Sequence, residues 1–239
     1  MVKSMSQHWS LDPSVTFLNH GSFGACPNPV LTRQNALRKQ MEAEPVRFFE
    51  REAPTMLHDA KEALGAFLGV EARDLAFLPN ATTGVNTILR SLKFGPGDEI
   101  LVTEHAYGAC RNAVEFVAQS SGIEVKVAHT PFFDATRESL LNSILEAISP
   151  ATKLVLLDHV TSPTGLVFPV ESIVEALNRR GIDCLVDGAH APGMLPLDLS
   201  KLAAPFYVGN LHKWVCAPKG AAFLYVQKDR QPEIRPLVI

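Results

Sequence analysis

The amino-acid sequence predicts an α/β protein built around a mostly parallel sheet of seven strands. Short apolar segments alternate with longer amphipathic segments from residue 54 onward, which is the pattern of successive strand–helix–strand units. Glycine or a turn sequence closes several of the amphipathic segments, as expected at helix ends. Apolar residues make up 46% and charged residues 20% of the 239 residues, which suits one large domain, alone or with an appendage.

The first 53 residues are predicted to form an N-terminal arm and helix and not a separate domain. They contain the run Asn19-His20-Gly21-Ser22-Phe23-Gly24, followed by a polar helical stretch over 30–44. Pro45 is predicted to end that helix, because proline cannot continue the helical hydrogen bonds. Residues 54–239 are then predicted to form the large domain.

The large domain is predicted to contain the sheet and five main helices. Apolar runs mark strands at 75–78, 100–102, 125–128, 153–158, 184–187, 206–208 and 221–226, and the run at 153–158 is apolar enough for burial on both faces. Amphipathic periodicity marks helices at 54–68, 82–92, 110–119, 140–148 and 170–180. In the first of these, Gly69 is the stop signal and the predicted core-facing residues are Met56, Leu57, Ala60, Ala63, Leu64, Phe67 and Leu68.

Charge and cysteine usage exclude several functional classes. The net charge of −3 and the pI near 6.2 give no electrostatic case for a nucleic-acid or membrane-surface partner. The four cysteines are spread along the chain without a C-x-x-C pair, so we expect neither disulfides nor a metal site, and a cytoplasmic location. The polar start of the chain does not resemble a signal peptide, and no apolar run is long enough to span a bilayer.

Ligands of parallel sheets bind beyond the carboxyl ends of the strands, and four predicted strand ends here carry polar groups. The first is Asn80-Ala81-Thr82-Thr83-Gly84, which opens the helix at 82–92. Free N–H groups and the positive end of the helix dipole would hold a phosphate there. The alternative is that Thr82 only caps the helix. The P-loop pattern is absent.

The second strand end, after 100–102, carries His105 and Tyr107. An aromatic ring at this place could stack on a flat cofactor, or both rings could simply pack against the sheet. The third strand ends in Asp187. A buried acid needs a partner, and the N–H of a pyridinium ring is one; a helix cap or a structural ion pair is the alternative.

The fourth strand end carries Lys213, within Gly209-Asn210-Leu211-His212-Lys213-Trp214. A lysine that is desolvated among aromatic neighbours loses its proton and becomes nucleophilic toward a carbonyl, whereas most lysines are simply exposed. Each of the four features is weak alone. Their combination and order predict that Lys213 forms a Schiff base with pyridoxal phosphate.

These residues resemble the class V aminotransferase family of pyridoxal-phosphate enzymes, and most closely its isopenicillin N epimerase-like branch, which is related to cysteine desulfurases. The resemblance covers almost the whole chain. It is carried by Asn80–Gly84, by Lys213 with its neighbours, and by the motifs Phe17-Leu18-Asn19-His20-Gly21-Ser22-Phe23-Gly24, Asp158-His159-Val160-Thr161-Ser162-Pro163-Thr164-Gly165 and Asp187-Gly188-Ala189-His190.

The resemblance implies the three-layer large domain of fold-type I enzymes and a role for each matching residue. Lys213 would carry the cofactor and Asp187 would pair with its pyridine nitrogen. Ala81, Thr82 and Thr83 would hold the phosphate, with help from Asn210 and His212. His105 matches the stacking histidine of desulfurases, whereas Tyr107 is the aromatic typical of the epimerase-like branch. His190 and Ser162 stand where desulfurases have a glutamine and an asparagine, which disfavours a desulfurase.

Length is a further departure from the family, whose members continue into a small C-terminal domain. The arginine that grips the substrate carboxylate and the sulfur-accepting cysteine of desulfurases are expected in that part. We therefore expect the small C-terminal domain to be missing from this sequence. The resemblance also implies a homodimer.

The predicted function is Cα deprotonation of an amino acid or an amino-acid-derived substrate, with Lys213 as the base, leading to epimerisation. Cysteine desulfurase-like or C–S lyase chemistry and transamination start from the same deprotonation and remain alternatives. A truncated chain that binds pyridoxal phosphate without catalysis is a third possibility. A nucleotide-binding protein is disfavoured, because no G-x-G-x-x-G follows the first strand.

Overall fold

The computed structural model describes residues 5–238 and contains a single seven-stranded sheet with helices on both faces. The strands lie in the spatial order β1-β7-β6-β5-β4-β2-β3, and only β7 runs antiparallel to its two neighbours. This confirms the mostly parallel seven-stranded sheet. The strands are β1 (Leu75–Leu78), β2 (Glu99–Thr103), β3 (Glu124–Ala128), β4 (Thr152–Asp158), β5 (Asp183–Asp187), β6 (Phe206–Asn210) and β7 (Ala222–Val226).

Eight α-helical segments accompany the sheet in the described part of the chain. They are α1 (Asn28–Ala43), α2 (Pro45–Arg47), α3 (Ala53–Leu68), α4 (Ala81–Ser91), α5 (Gly108–Ser121), α6 (Arg137–Ala147), α7 (Val170–Asn178) and α8 (Leu199–Leu202). One π-helical turn, Phe48–Glu52, joins α2 to α3, and 3-10 turns lie at Met5–His8, Ala72–Asp74 and Lys228–Glu233. The helix at 170–180 ends earlier than predicted, and Gly181 follows in the left-handed region with φ 67°.

Alternation along the strands produces two apolar layers. In β4, Val155 and Leu157 pack with α6 and α7 on one face, whereas Leu154 and Leu156 pack with α4 and α5 on the other. All four side chains are almost fully buried, as the apolar run at 153–158 predicted. The three-layer arrangement is therefore the consequence of one sheet that is covered on both sides.

The predicted inward face of α3 is mostly wrong. Leu64 and Leu68 are buried, but Ala60 and Ala63 are exposed, and so are Leu57 (54% exposed) and Phe67 (50%), while Met56 is half-buried. Only the last turns of α3 reach the core of this chain. Apolar spacing identifies residues that favour burial, but it does not show whether another part of the chain covers them. Gly69 ends α3 in the left-handed conformation (φ 73°), as predicted.

The N-terminal arm lies against the loop that follows β6. The backbone N–H of Gly24 donates to the carbonyl oxygen of His212 at 3.2 Å. A side chain at Gly24 would meet the carbonyl oxygen of Lys213 at 2.3 Å, so only glycine permits this contact. Pro45 breaks the helix as predicted, and Glu44 before it lies outside the helical region at φ −157° and ψ 86°. The boundary between arm and large domain at residue 53 stays a prediction, and α3 begins at that residue.

The ends of the central strands converge at one edge of the sheet. β2, β4, β5 and β6 are parallel, so their carboxyl ends lie side by side. Asp158 pairs in register with Asp187. Both side chains lie on the face of the sheet that packs against α4 and α5. Asn210 ends β6 with the same parity. The two acids and the amide therefore meet beneath the starts of two helices.

Within residues 5–238, no helix has the length and apolarity required to cross a membrane. The same residues contain no group of three or more His, Cys, Asp or Glu side chains arranged to hold a metal ion. All four cysteines are free thiols, and Cys216 is the most accessible of them.

Neighbouring residues in α3 test how the helix packs. Leu68→Ala removes a fully buried side chain and should lower the free energy of unfolding by about 2–5 kcal/mol. Phe67→Ala, one position earlier on the half-exposed face, should cost less than about 1 kcal/mol. Denaturant unfolding of both variants measures the difference, and equal losses would contradict this orientation of α3.

Candidate active site

A cavity of about 530 Å³ opens at the carboxyl edge of the sheet and collects most of the predicted site residues. Those that line it are Ala81, Thr82, Tyr107, Ser162, Asp187, His190, Asn210, His212 and Lys213. Thr83 and His105 do not line it. The other lining residues are Asn19, Gly21, Ser22, Phe23, Asn80, Asp158 and Ala189, none of which had a predicted site role.

The start of α4 forms one wall of the cavity. Asn80 caps the helix, because its side-chain oxygen accepts from the backbone N–H of Thr83 at 2.8 Å and from the Thr83 hydroxyl at 3.0 Å. The cap is therefore Asn80 and not Thr82. Thr83 points back into this cap, which explains its absence from the cavity wall.

A glycine lets α4 approach the sheet closely. A side chain at Gly84 would meet Val208 of β6 at 2.5 Å, so the helix lies directly on that strand. The side-chain oxygen of Asn210 then accepts from the backbone N–H of Ala81 at 2.9 Å. With its oxygen turned to Ala81, the amide of Asn210 has its NH₂ group as the donor for a ligand. Helix dipole and amide donor together favour an anion here.

Asp187 ends β5 on the floor of the cavity and is 3% exposed. One of its carboxylate oxygens accepts from the thiol of Cys110 in α5 at 3.1 Å, and the other accepts from the backbone N–H of Ala189 at 2.9 Å. Burial raises the pKa of the Cys110 thiol, which keeps it a donor. Burial also raises the pKa of Asp187, whereas these two hydrogen bonds and nearby Lys213 oppose the rise.

Asp158 is a second buried acid beside Asp187. It ends β4, lines the cavity and is 3% exposed. Burial and the charge of Asp187 raise the pKa of Asp158 well above its usual value, although the backbone N–H of Tyr107 opposes this effect. Two carboxyl groups in adjacent register positions cannot both be charged at low cost, so the pair favours holding one proton.

Lys213 extends from the loop after β6 into the cavity. Its Nζ lies 3.0 Å from Nε2 of His190, and Nδ1 of the same ring accepts from the indole N–H of Trp214 at 3.4 Å. Burial lowers the pKa of Lys213, and the acids on the cavity floor oppose this effect. Burial, with the charge of Lys213, lowers the pKa of His190 to about 4, so this histidine is neutral at pH 7.

Tyr107 and His105 have different surroundings. Tyr107 lines the cavity and is 45% exposed, so its ring is available to a ligand. His105 is buried, and its two ring nitrogens lie 3.4 Å from the carbonyl oxygen of Thr130 and the hydroxyl of Thr164. Of the two rings, the geometry favours Tyr107 as the one that faces a cofactor.

His212 and Ser162 both line the cavity, but with different constraints. His212 donates from Nδ1 to the carbonyl oxygen of Ala221 at 2.8 Å, so its Nε2 is the nitrogen left for a ligand. Burial lowers the pKa of His212. Ser162 lies exposed in the loop after β4.

The N-terminal arm supplies the outer wall of the cavity. Asn19 and Ser22 hold each other, since the Asn19 amide donates to the Ser22 hydroxyl at 2.8 Å and the Ser22 backbone donates back at 2.9 Å. Phe23 lies beside them with 75% of its surface exposed. The motif that carried the resemblance in the arm thus forms part of the site.

The donor set of the cavity fits pyridoxal phosphate. A helix start with an amide donor suits the phosphate, a buried carboxylate suits the ring N–H, and a desolvated amine suits the aldehyde. Cys110, Asp158 and Trp214 had no predicted role, because their contacts depend on register and helix docking. The sequence signal for Asp158 was its position at the end of a buried strand and at the start of a motif that carried the resemblance.

Comparison with known proteins finds relatives along nearly the whole chain. The isopenicillin N epimerase of Streptomyces clavuligerus is 38% identical over 226 residues, which is 95% of this chain. The match covers 57% of the epimerase, so the chain spans little more than half the length of this relative.

Solved structures support the same relationship. A mutant of the enzyme C-DES with glycine covalently linked to its pyridoxal-phosphate cofactor superposes with a TM-score of 0.90 and 27% identity, over 99% of this chain and 63% of that one. A complex of C-DES, described as a cystine C–S lyase, with its product cysteine persulfide gives a TM-score of 0.88 and 28% identity, over 95% and 61% of the two chains. The predicted fold-type I architecture is therefore confirmed.

The family model described as aminotransferase class V matches residues 22–239. This span contains the cavity floor, the α4 start and Lys213, and it covers most of the chain. The resemblance predicted from the motifs is confirmed, and the chain belongs to the class V aminotransferases, a family of pyridoxal-phosphate-dependent enzymes.

Proposed function

We propose that this chain provides the cofactor-binding and proton-transfer machinery of an isopenicillin N epimerase-like enzyme, which removes the Cα proton of an amino acid or a derived substrate. One observation carries the proposal. Lys213 is a desolvated amine, hydrogen-bonded to a neutral histidine, in the same cavity as the buried Asp187 and the α4 start.

In this proposal each wall of the cavity holds one part of pyridoxal phosphate. Ala81 and Thr82 at the α4 start, with the amide of Asn210, hold the phosphate, and Thr83 acts through the helix cap. Tyr107 stacks on the ring, and Asp187 faces its nitrogen. Ser162, His190 and His212 border the remaining space. When bound, the cofactor supplies an electron sink for the charge that develops at Cα.

Lys213 acts as the base in this scheme. Burial favours the neutral amine, which can accept a proton from a substrate Cα held in the cavity. The acids on the floor then stabilise the ammonium that results. Lys213 therefore alternates between the two protonation states within one desolvated site.

Asp158 and Asp187 together carry one negative charge in this proposal. Asp187 accepts from both Cys110 and Ala189, so the charge resides on it, whereas Asp158 keeps the proton. A single carboxylate beside the ring nitrogen is what the electron sink requires. Asp158 is thus a positioning residue that prevents a second charge on the cavity floor.

A C–S lyase or cysteine desulfurase-like activity is the second candidate. It is favoured by the similarity to C-DES, described as a cystine C–S lyase, and it begins with the same proton removal. A chain that holds the cofactor without turnover is the third candidate. A homodimer and a cytoplasmic location are further parts of the proposal, drawn from the family resemblance and the cysteine usage.

Lysine variants test the cofactor assignment. Purified protein mixed with pyridoxal phosphate should show the visible absorption of a protonated Schiff base, which disappears on borohydride reduction. Lys213→Ala should lose this band, because it lacks the desolvated amine. Lys219→Ala is the matched control, since Lys219 is an exposed lysine on the same loop, and it should keep the band. A band that survives in Lys213→Ala and fades in Lys219→Ala would refute the assignment.

Asp158→Asn tests the proton on the cavity floor. The folded-state pKa of Asp158 is raised above its unfolded value, so its stabilising contribution is complete below the unfolded pKa and is lost as the pH rises through the folded pKa. Asparagine avoids this loss. The stability advantage of the variant should therefore increase with pH above about 4, by up to about 1.4 kcal/mol per pH unit.

Urea unfolding of the cofactor-free protein at pH 5 and pH 8 measures this difference. Asp59→Asn is the control, because Asp59 is exposed on α3 and should show no such trend. A stability difference between the variant and wild type that stays constant or falls from pH 5 to pH 8 would show instead that Asp158 is held as a charged group.

Parallel assays separate the candidate activities. Cofactor-loaded protein in deuterated water should introduce deuterium at Cα of its substrate and invert that centre, and Lys213→Ala should lower this rate by about 10²–10⁴-fold. Racemisation, sulfide release and keto-acid formation are measured on the same samples. Sulfide release without inversion would replace the epimerase proposal with the lyase, and cofactor binding without exchange would favour the non-catalytic chain.

A further inference from the structure

The indole of Trp214, the residue next to the reactive lysine in sequence, is linked to the lysine amine through His190. Its indole N–H donates to Nδ1 of His190 at 3.4 Å, and Nε2 on the other side of that ring lies 3.0 Å from Nζ of Lys213. The three side chains thus form one continuous hydrogen-bonded chain that ends at the amine. All three are partly buried, so water competes weakly for these bonds.

Hydrogen-bond chemistry determines the direction of this chain. An indole N–H can only donate, so Nδ1 of His190 must accept. A neutral imidazole that accepts at Nδ1 carries its proton on Nε2, and it therefore donates toward Lys213. A lysine ammonium has no lone pair to accept that bond, whereas a neutral amine does. An unprotonated Lys213 satisfies every hydrogen bond of this chain, whereas an ammonium would point an N–H at the N–H on Nε2.

The surrounding backbone holds the two rings in this geometry. A side chain at Gly21 would lie 3.2 Å from His190 and 3.2 Å from the Trp214 ring, so the arm covers both rings closely. Gly193 has φ +85°, and a side chain there would meet the Trp214 carbonyl oxygen at 2.7 Å. His20 lies over Trp214 at a ring distance of 5.9 Å. The indole therefore has little freedom to turn its N–H elsewhere.

We propose that Trp214 is a positioning residue that fixes His190 in the tautomer with its proton on Nε2, and thereby holds Lys213 as the free amine. The free amine is the form that attacks an aldehyde, with formation of the N–C bond and loss of the carbonyl oxygen as water. The reaction of the Lys213 amine with pyridoxal phosphate rests on the proposed function. The tautomer of His190 is a property of the chain alone and can be measured without the cofactor.

Nitrogen-15 NMR of the histidine rings tests the tautomer directly. In the full chain without cofactor at pH 7, His190 should show a protonated Nε2 and an unprotonated Nδ1, with assignment by comparison with His190→Gln. Trp214→Phe removes the donor and should shift His190 toward a mixture of tautomers. Trp9→Phe is the matched control, because the other tryptophan of the chain donates to the carbonyl oxygen of Ala25 in the arm.

The rate of pyridoxal-phosphate uptake at pH 7 provides the second measurement. Trp214→Phe should react about three- to tenfold more slowly than wild type, the factor that one neutral hydrogen bond is worth, and Trp9→Phe should match wild type. A wild-type His190 with its proton on Nδ1 overturns the proposal, and so does a Trp214→Phe spectrum identical to that of wild type. If Trp214→Phe does not fold, the wild-type tautomer alone decides. Absence of cofactor uptake in a chain with the expected tautomer would reject the proposed function and leave the tautomer assignment intact.

Discussion

The in-register pairing of the parallel strands is the constraint on which the site depends. Because Asp158 faces Asp187 across β4 and β5, and Asn210 ends β6 with the same parity, polar side chains from distant parts of the sequence reach one point. A shift of one residue in any of these strands would turn its polar end to the other face of the sheet. The apolar alternation that builds the core therefore also positions the chemistry.

Removing the titratable side chains of the cavity from water costs free energy, and the same desolvation shifts their pKa values. Two buried acids lie beside a partly buried lysine and histidine, and burial moves each pKa toward the neutral form of the group. The cost of burying the Asp187 carboxylate is offset by Cys110 and Ala189, which donate hydrogen bonds to its two oxygens. Burial keeps His190 neutral and lowers the pKa of Lys213, which favours the free amine that accepts a proton. The cavity therefore lowers the stability of the fold and raises the reactivity of its side chains.

Much of the fold followed from sequence, because apolar runs and glycine signals are local. All seven strands lie within one or two residues of their predicted positions, and Gly69 and Gly122 end their helices in the left-handed conformation. The placement of Lys213 and Asp187 in the cavity was predictable, because each lies at or just after the end of a recognisable strand. The exposed side of α3 was not, since periodicity shows that Phe67 favours burial but not whether a partner surface exists in this chain.

The finer contacts of the site could not be predicted from the sequence, because they depend on how loops and helix ends turn in three dimensions. Thr83 and His105 sit beside cavity residues in sequence, yet one turns into a helix cap and the other into a buried loop. Cys110 reaches Asp187 because the start of α5 lies over the end of β5, and Trp214 reaches His190 through the shape of its loop. Peptide mapping by mass spectrometry, after borohydride reduction of the cofactor-loaded chain, tests the role of Lys213 most directly. A pyridoxyl group is expected on Lys213 alone; a label on Lys219, or one spread over exposed lysines, would contradict the assignment of Lys213.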